Sequence, residues 1–234
     1  MRRWLRSRGL LRTSPGEKDR LSLDAALSRF RARDIPIATV IDVGASDGRW
    51  SLSVKKHFPD ARYILVEAQA AHAPALDRLK RASGNIDYVI AAASDRVGSV
   101  FFAARDLFGG VASHEPRQDM VEVPAITVDA LLRDRGLPPP YLLKLDTHGF
   151  EVPILEGAAE SLRQTQLVVV EAYNFRIENE SLLFHEMCGY MGGKGFRCID
   201  LCDPMHRPKD GALWQFDLFF LPAAREEFTS NRYS

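Results

Sequence analysis

Apolar residues fall into short runs of β-branched and aromatic side chains, alternating with longer stretches in which they recur every three or four positions. Thr39 to Val43, Tyr63 to Val66, Tyr88 to Ala93, Tyr141 to Leu145 and Leu167 to Val170 are runs of the first kind. Apolar runs this short, bounded by turn residues, predict strands buried on both faces. Leu23, Ala26, Leu27 and Phe30, then Trp50, Val54, His57 and Phe58, then Leu76, Leu79 and Ala82, and later Leu183, Met187, Tyr190 and Met191, are spaced as helix faces. Strand and helix therefore alternate, which calls for a parallel sheet covered on both sides.

Two stretches depart from this rhythm. From Gly98 onward, Ser99 to Ala104 and Val121 to Ile126 predict strands on either side of a loop from Phe108 to Gln118, an excursion from the main sheet. A helix begins at Val128 and ends before Pro138, Pro139 and Pro140; another, with Pro153 in its first turn, runs to about Leu162. Near the C-terminus, Phe196 to Leu201 and Trp214 to Leu221 are joined by Asp203 to Gly211, too short for a crossover helix, so these two strands pair antiparallel. The expected fold is a doubly wound α/β domain over 35–222, with a mostly parallel seven-stranded sheet and a terminal antiparallel strand. A basic tail and covering helix (1–34) precede it, and a short tail (223–234) follows.

Composition narrows the partners. Lysine plus arginine and aspartate plus glutamate number 31 each, so no global field favours nucleic acid. Arg2, Arg3, Arg6, Arg8 and Arg12, interleaved with Trp4, Leu5, Leu10 and Leu11, form either a solvated tail or a weak contact with anionic lipid. No run is long enough for a transmembrane helix or a signal peptide. The cysteines Cys188, Cys198 and Cys202 lack CxxC spacing, as reduced structural thiols do, and the expected location is cytoplasmic.

Ligands of open α/β sheets bind beyond the carboxyl ends of the strands. At the first strand's end lie Asp42, Gly44, Ala45, Ser46, Asp47 and Gly48, in a turn whose backbone N–H groups are expected to meet an anionic or polar ligand; Glu67 and Ala68 follow the second strand, and Ala92 lies in the third. Glu67 stands nineteen residues after Gly48, the spacing at which a carboxylate reaches a ribose diol. A dinucleotide fingerprint requires glycine at 44, 46 and 49, and only Gly44 is present. Arg49 would obstruct close helix packing, and Asp47 sets negative charge where a pyrophosphate would sit. A positively charged nucleoside without phosphate, such as S-adenosylmethionine, fits better. A nicotinamide-dependent oxidoreductase and a non-catalytic binding module are the competing readings.

The chain resembles the FkbM-type methyltransferases from about Ile37 to Leu221. The matching pieces are IDVGASDG from Ile41, VEA from Val66, LLKLDTHGFE from Leu142, VVVEAYN from Val168 and RPKDGALWQFDLFF from Arg207. The resemblance implies the class I methyltransferase fold, Rossmann-like, and O-methylation of a hydroxyl on a sugar, a glycan or glycolipid precursor, or a polyketide. Candidate catalytic residues are Asp146, His148 and Glu171. Asp146 is the first candidate for a base or positioning carboxylate, whereas imidazole exchanges protons near neutral pH. Family members usually carry glutamate or glutamine where this chain has His148. No metal is expected, since Asp146 and Glu171 supply too few oxygen ligands. Lys144 alternates with Asp146 and shares its face, and Glu151 reads as a favourable charge at a helix N-terminus. The loop with His114 and Arg117 is a lid, an acceptor wall or a plain surface loop.

Overall fold

The computed structural model describes residues 20–104, 107–179 and 181–233; the arginine-rich tail lies outside them. In chain order the strands are β1 (Thr39–Val43), β2 (Arg62–Glu67), β3 (Ile86–Ile90), β4 (Ala92–Ala93), β5 (Gly98–Ala104), β6 (Gly110–Ser113), β7 (Val121–Ile126), β8 (Tyr141–Leu145), β9 (Thr165–Tyr173), β10 (Phe196–His206) and β11 (Leu213–Pro222). The helices are α1 (Leu23–Arg31), α2 (Arg49–Lys55), α3 (Ala73–Ala82), α4 (Val128–Asp134), α5 (Glu151–Glu156), α6 (Ala159–Leu162) and α7 (Phe184–Gly193).

Seven strands form one sheet in the order β10-β11-β9-β8-β1-β2-β3. The pairs among β9, β8, β1, β2 and β3 are parallel, and β11 runs antiparallel between β9 and β10. Every residue of β1 and β8 is buried, as the apolar runs require of central strands. Alternation divides them between two cores: Ile41, Leu143 and Val168 pack with Leu131, Ile154 and Met187, while Val40, Leu142 and Val169 pack with Leu27, Val54 and Leu76. Asp42 pairs in register with Lys144, so two polar side chains enter the second core side by side.

The excursion is a second sheet, β4-β7-β5-β6. The stretch expected to be a loop contains β6, paired antiparallel with β5; Gly110 admits the Phe102 ring, which a Cβ there would approach to 2.2 Å. The single helix expected to reach Leu162 is two, α5 and α6, broken around Gly157, where a Cβ would lie 2.0 Å from the Ser94 carbonyl oxygen. The last helix before β3 opens with a 3-10 turn, Ala70–His72. Strand β9 continues to Tyr173 because β11 pairs with it as far as Gln215, and β10 continues to His206, leaving only a short turn before β11. Among the described residues, no helix is long and apolar enough to cross a membrane.

Candidate active site

The turn after β1 is built by its own hydrogen bonds. Gly44 and Ala45 N–H donate to Val66 O (3.0 and 3.1 Å), Ser46 N–H to Glu67 Oε2 (2.7 Å) and Gly48 N–H to Ala45 O (2.8 Å). These donors are occupied inside the protein, so the expected cradle of N–H groups for an anionic ligand is not what the turn offers. Gly44 has φ +73°, and a Cβ there would lie 1.9 Å from the Asp146 carbonyl oxygen: the first turn and the turn after β8 touch through their backbones. Gly48 gives the close helix packing, since a Cβ there would meet Leu79 Cδ1 at 2.3 Å. Arg49 obstructs nothing. It pairs at the edge of the cavity with Asp47 (2.6 Å), which offsets the charge expected to repel a pyrophosphate. Of the features expected to disfavour a phosphate, the occupied donors remain.

Glu67 is 6% exposed and accepts from Ser46 N–H and Gln69 N–H, each at 2.7 Å. Each carboxylate oxygen keeps a second lone pair, which suits it to accept from a diol.

Beneath the turn lies a ladder of charge. Lys144 Nζ donates to Gly44 O (2.9 Å) and lies 2.9 Å from Asp42 Oδ1 and 3.4 Å from Asp146 Oδ2. Burial alone would lower its pKa, but the two carboxylates, Asp42 first, outweigh that and raise it. Asp42 is wholly buried, also accepts from Ser51 Oγ (2.7 Å), and does not reach the cavity; its part is to fix Lys144. Asp146 is desolvated, yet Lys144 and then His148 hold its pKa below the ordinary value. Glu171 goes the other way: burial, then the charge of Asp146, push it up to about 9. Tyr173 and Gln215 both donate to Glu171. Asp217, the register partner of Glu171 on β11, is pushed up to about 7 by burial and Asp146. The site therefore sets an ionised carboxylate beside a protonated carboxyl, one of the ways a protein separates acid and base roles.

His148 sits at φ +55° in the turn after β8, with Nε2 3.9 Å from Glu171 Oε2. Glu151 organises that turn rather than merely charging a helix end. It is buried and accepts from Gly149 N–H (2.9 Å) and Thr147 Oγ1 (3.1 Å), on either side of His148.

A cavity of about 850 Å³ joins these groups, within the range of cofactor and substrate sites. Gly44, Ala45, Ser46, Glu67, Ala68, Ala92, Asp146, His148 and Glu171 line it; Asp42, Asp47 and Gly48 do not. His72, Asp203 and Gln215 also line it and were not among the expected site residues, whereas Phe108, which lines it too, opens the loop read as a lid or acceptor wall. Gln215 and Asp217 had a legible signal, being polar at alternate positions continuous with core-facing Phe219 and Leu221. His114 and Arg117 stand aside, the first 3.2 Å from Asp95 and the second 2.8 Å from Glu178. Asp146, His148 and Glu171 place their ligand atoms within 4.8 Å of one another, so the triad offers three donors to a cation rather than the two carboxylates counted from sequence.

The model of the methyltransferase FkbM domain family matches residues 42–198. The chain belongs to that family. Among solved structures, a methyltransferase FkbM from Methylobacillus flagellatus superposes with a TM-score of 0.55 at 14% identity, over 88% of this chain and 50% of that one. This chain thus spans half the length of that protein. The Methanococcus jannaschii fibrillarin pre-rRNA processing protein superposes with a TM-score of 0.51 at 10% identity, over 81% of this chain and 68% of that one. At such identities the likeness shows the fold alone, the Rossmann-like class I methyltransferase sheet with its antiparallel strand between the last two neighbours. No curated protein sequence matches the chain.

Proposed function

We propose that this FkbM-family protein is an O-methyltransferase that uses S-adenosylmethionine and acts on a hydroxyl of a sugar, of a glycan or glycolipid precursor, or of a polyketide-like small molecule. One observation carries the reading: a single cavity holds the buried Glu67 carboxylate and the ionised Asp146. The fit to a nucleoside without phosphate follows from the turn, whose N–H groups at Gly44, Ala45, Ser46 and Gly48 are already bonded while Glu67 retains lone pairs. Bound S-adenosylmethionine supplies a methyl group on a good leaving group.

The chain's residues do the rest. Glu67 holds the ribose hydroxyls. Asp146, kept ionised by Lys144, accepts a hydrogen bond from a second hydroxyl of the acceptor and so aims the reacting oxygen; its lowered pKa suits it to positioning more than to removing the reacting hydroxyl's proton. His148, beside Glu171 and Asp146, takes that proton.

Calorimetry with S-adenosylhomocysteine tests the cofactor: the expected Kd is on the order of micromolar, about −8 kcal/mol. No heat at millimolar ligand removes the reading, and quenching of NADH fluorescence on binding would favour an oxidoreductase instead. Incubation with methyl-labelled cofactor and a pool of hydroxylated metabolites and glycans, followed by mass analysis, identifies the acceptor. Cofactor binding without transfer to any of them would favour a binding module.

A further inference from the structure

Three turns meet at the Glu67 end of the cavity, and one of them is not part of the main sheet. The segment Leu107–Gly109 leads into β6. His72 Nε2 donates to Leu107 O (2.7 Å), and Gln69 Nε2 donates to Gly109 O (3.4 Å). The Arg49 guanidinium lies 5.0 Å from the centre of the Phe108 ring, and the His72 ring lies 6.0 Å from it. His72 is only 4% exposed, and its Nε2 is also 3.5 Å from Ser46 Oγ, whose own N–H holds Glu67. Ser46, Arg49, Gln69, His72, Leu107 and Phe108 all line the cavity. The contact therefore forms part of the cavity wall on the side of Glu67, to which it connects through Ser46.

The character of the contact matters as much as its place. Leu107 and Phe108 are 49% and 56% exposed, so this segment is not seated in either core. Hydrogen bonds and ring contacts at a half-exposed segment open locally at far lower cost than core packing does. The residues at the Asp146 side of the cavity, Asp203, Met205 and Gln215, come from β10 and β11 and take no part in it.

We propose that Leu107–Gly109 is a strap across the nucleoside end of the cavity, that His72 is its latch, and that opening of this latch gates entry and exit of the nucleoside. The proposal rests on the cofactor reading above. The latch is built from protein groups on both sides, so loosening it clears the way in as much as the way out. A residue that merely touched the ligand would act differently, since its loss speeds departure and leaves arrival unchanged.

The test is stopped-flow association and dissociation of S-adenosylhomocysteine with the full chain and with His72→Phe, which keeps a ring beside Phe108 but removes the donor to Leu107. Phe108→Ala, at an exposed position, is the second variant. Both are expected to raise the association and dissociation rate constants together, by about tenfold, with Kd changing less than about threefold. Dissociation rising alone would make these residues ligand contacts and overturn the gate; unchanged rates in both variants would overturn the strap. Rates raised by Phe108→Ala but not by His72→Phe would overturn His72 as the latch. Failure of the parent chain to bind would overturn the cofactor reading itself, a different result from binding with unaltered rates.

Discussion

Lys144 and Asp42 face each other across adjacent strands β8 and β1, 2.9 Å apart and almost wholly removed from solvent. Asp146 lies on the open side of the same ammonium, at 3.4 Å, and Gly44 O accepts from it. A single cation thus ties the buried interior, the turn after β1 and the candidate active site together.

Replacing Lys144 with methionine leaves Asp42 buried without its counter-ion. Removing one partner of a buried pair costs on the order of 3–5 kcal/mol. Urea unfolding of Lys144→Met is expected to show a loss of that size, and the double variant with Asp42→Asn is expected to recover much of it. Equal stability of single and double variants would contradict the pairing.

Asp146→Asn keeps the shape and removes the charge. S-adenosylhomocysteine affinity is expected to stay within a few-fold, because Glu67 and the first turn are untouched, while methyl transfer falls by about 10²–10⁴. Radiolabel transfer measures it; a loss near the lower figure, about 10², is what misplacement of the acceptor alone produces. Unchanged turnover would make Asp146 structural.

Glu171 links the site to pH. Its usual value is 4.5 and the fold raises it to about 9, so the folded chain binds this proton more tightly than the unfolded chain. Its contribution to stability is full below about 4.5, declines as pH rises and is lost through about 9. Glu171→Gln, which cannot ionise, escapes that decline. The stability of the variant relative to the parent is therefore expected to rise between pH 5 and pH 9 in urea titrations. A difference independent of pH would show that Glu171 is ionised throughout.

Chelation separates two uses of Asp146, His148 and Glu171. Lys144 holds one oxygen of Asp146, Tyr173 and Gln215 hold both oxygens of Glu171, and the role proposed above for the three is positioning and proton transfer. Turnover is expected to survive dialysis against EDTA. Activity lost on dialysis and restored by Mg²⁺ or Mn²⁺ would reassign the triad as ligands.

Periodicity made the parallel sheet and its closing hairpin legible, since both follow from runs and connection lengths. The carboxyl ends of the strands then located Glu67, Asp146 and Glu171 in one cavity. Other features depend on distance between segments remote in sequence. Asp42 looked like a ligand contact because it ends a strand, yet alternation turns it inward against Lys144. Asp47 looked like a repelling charge until Arg49 folded back on it. The break around Gly157 follows from Ser94, more than sixty positions away, and His72 meets Leu107, in the loop before β6, only once the chain is folded. Polar residues in strand β11 show the reverse case: Gln215 and Asp217 carry a readable period, two positions apart on the face that continues to Phe219 and Leu221.

The small sheet leaves and rejoins the main fold at one doorway. Ala92 and Ala93 pair in parallel with Ala125 and Ile126, and Ser94 N–H donates to Ile126 O (2.8 Å). Whatever lies between hangs from a stem already closed, so lengthening or replacing it costs little loop-closure entropy and leaves the register of the seven strands untouched. The molecule is in this sense a fixed handle with an exchangeable head. Grafting the head of one family member onto the handle of another would carry over one wall of that member's cavity, without rebuilding the strands that bear Glu67, Asp146 and Glu171.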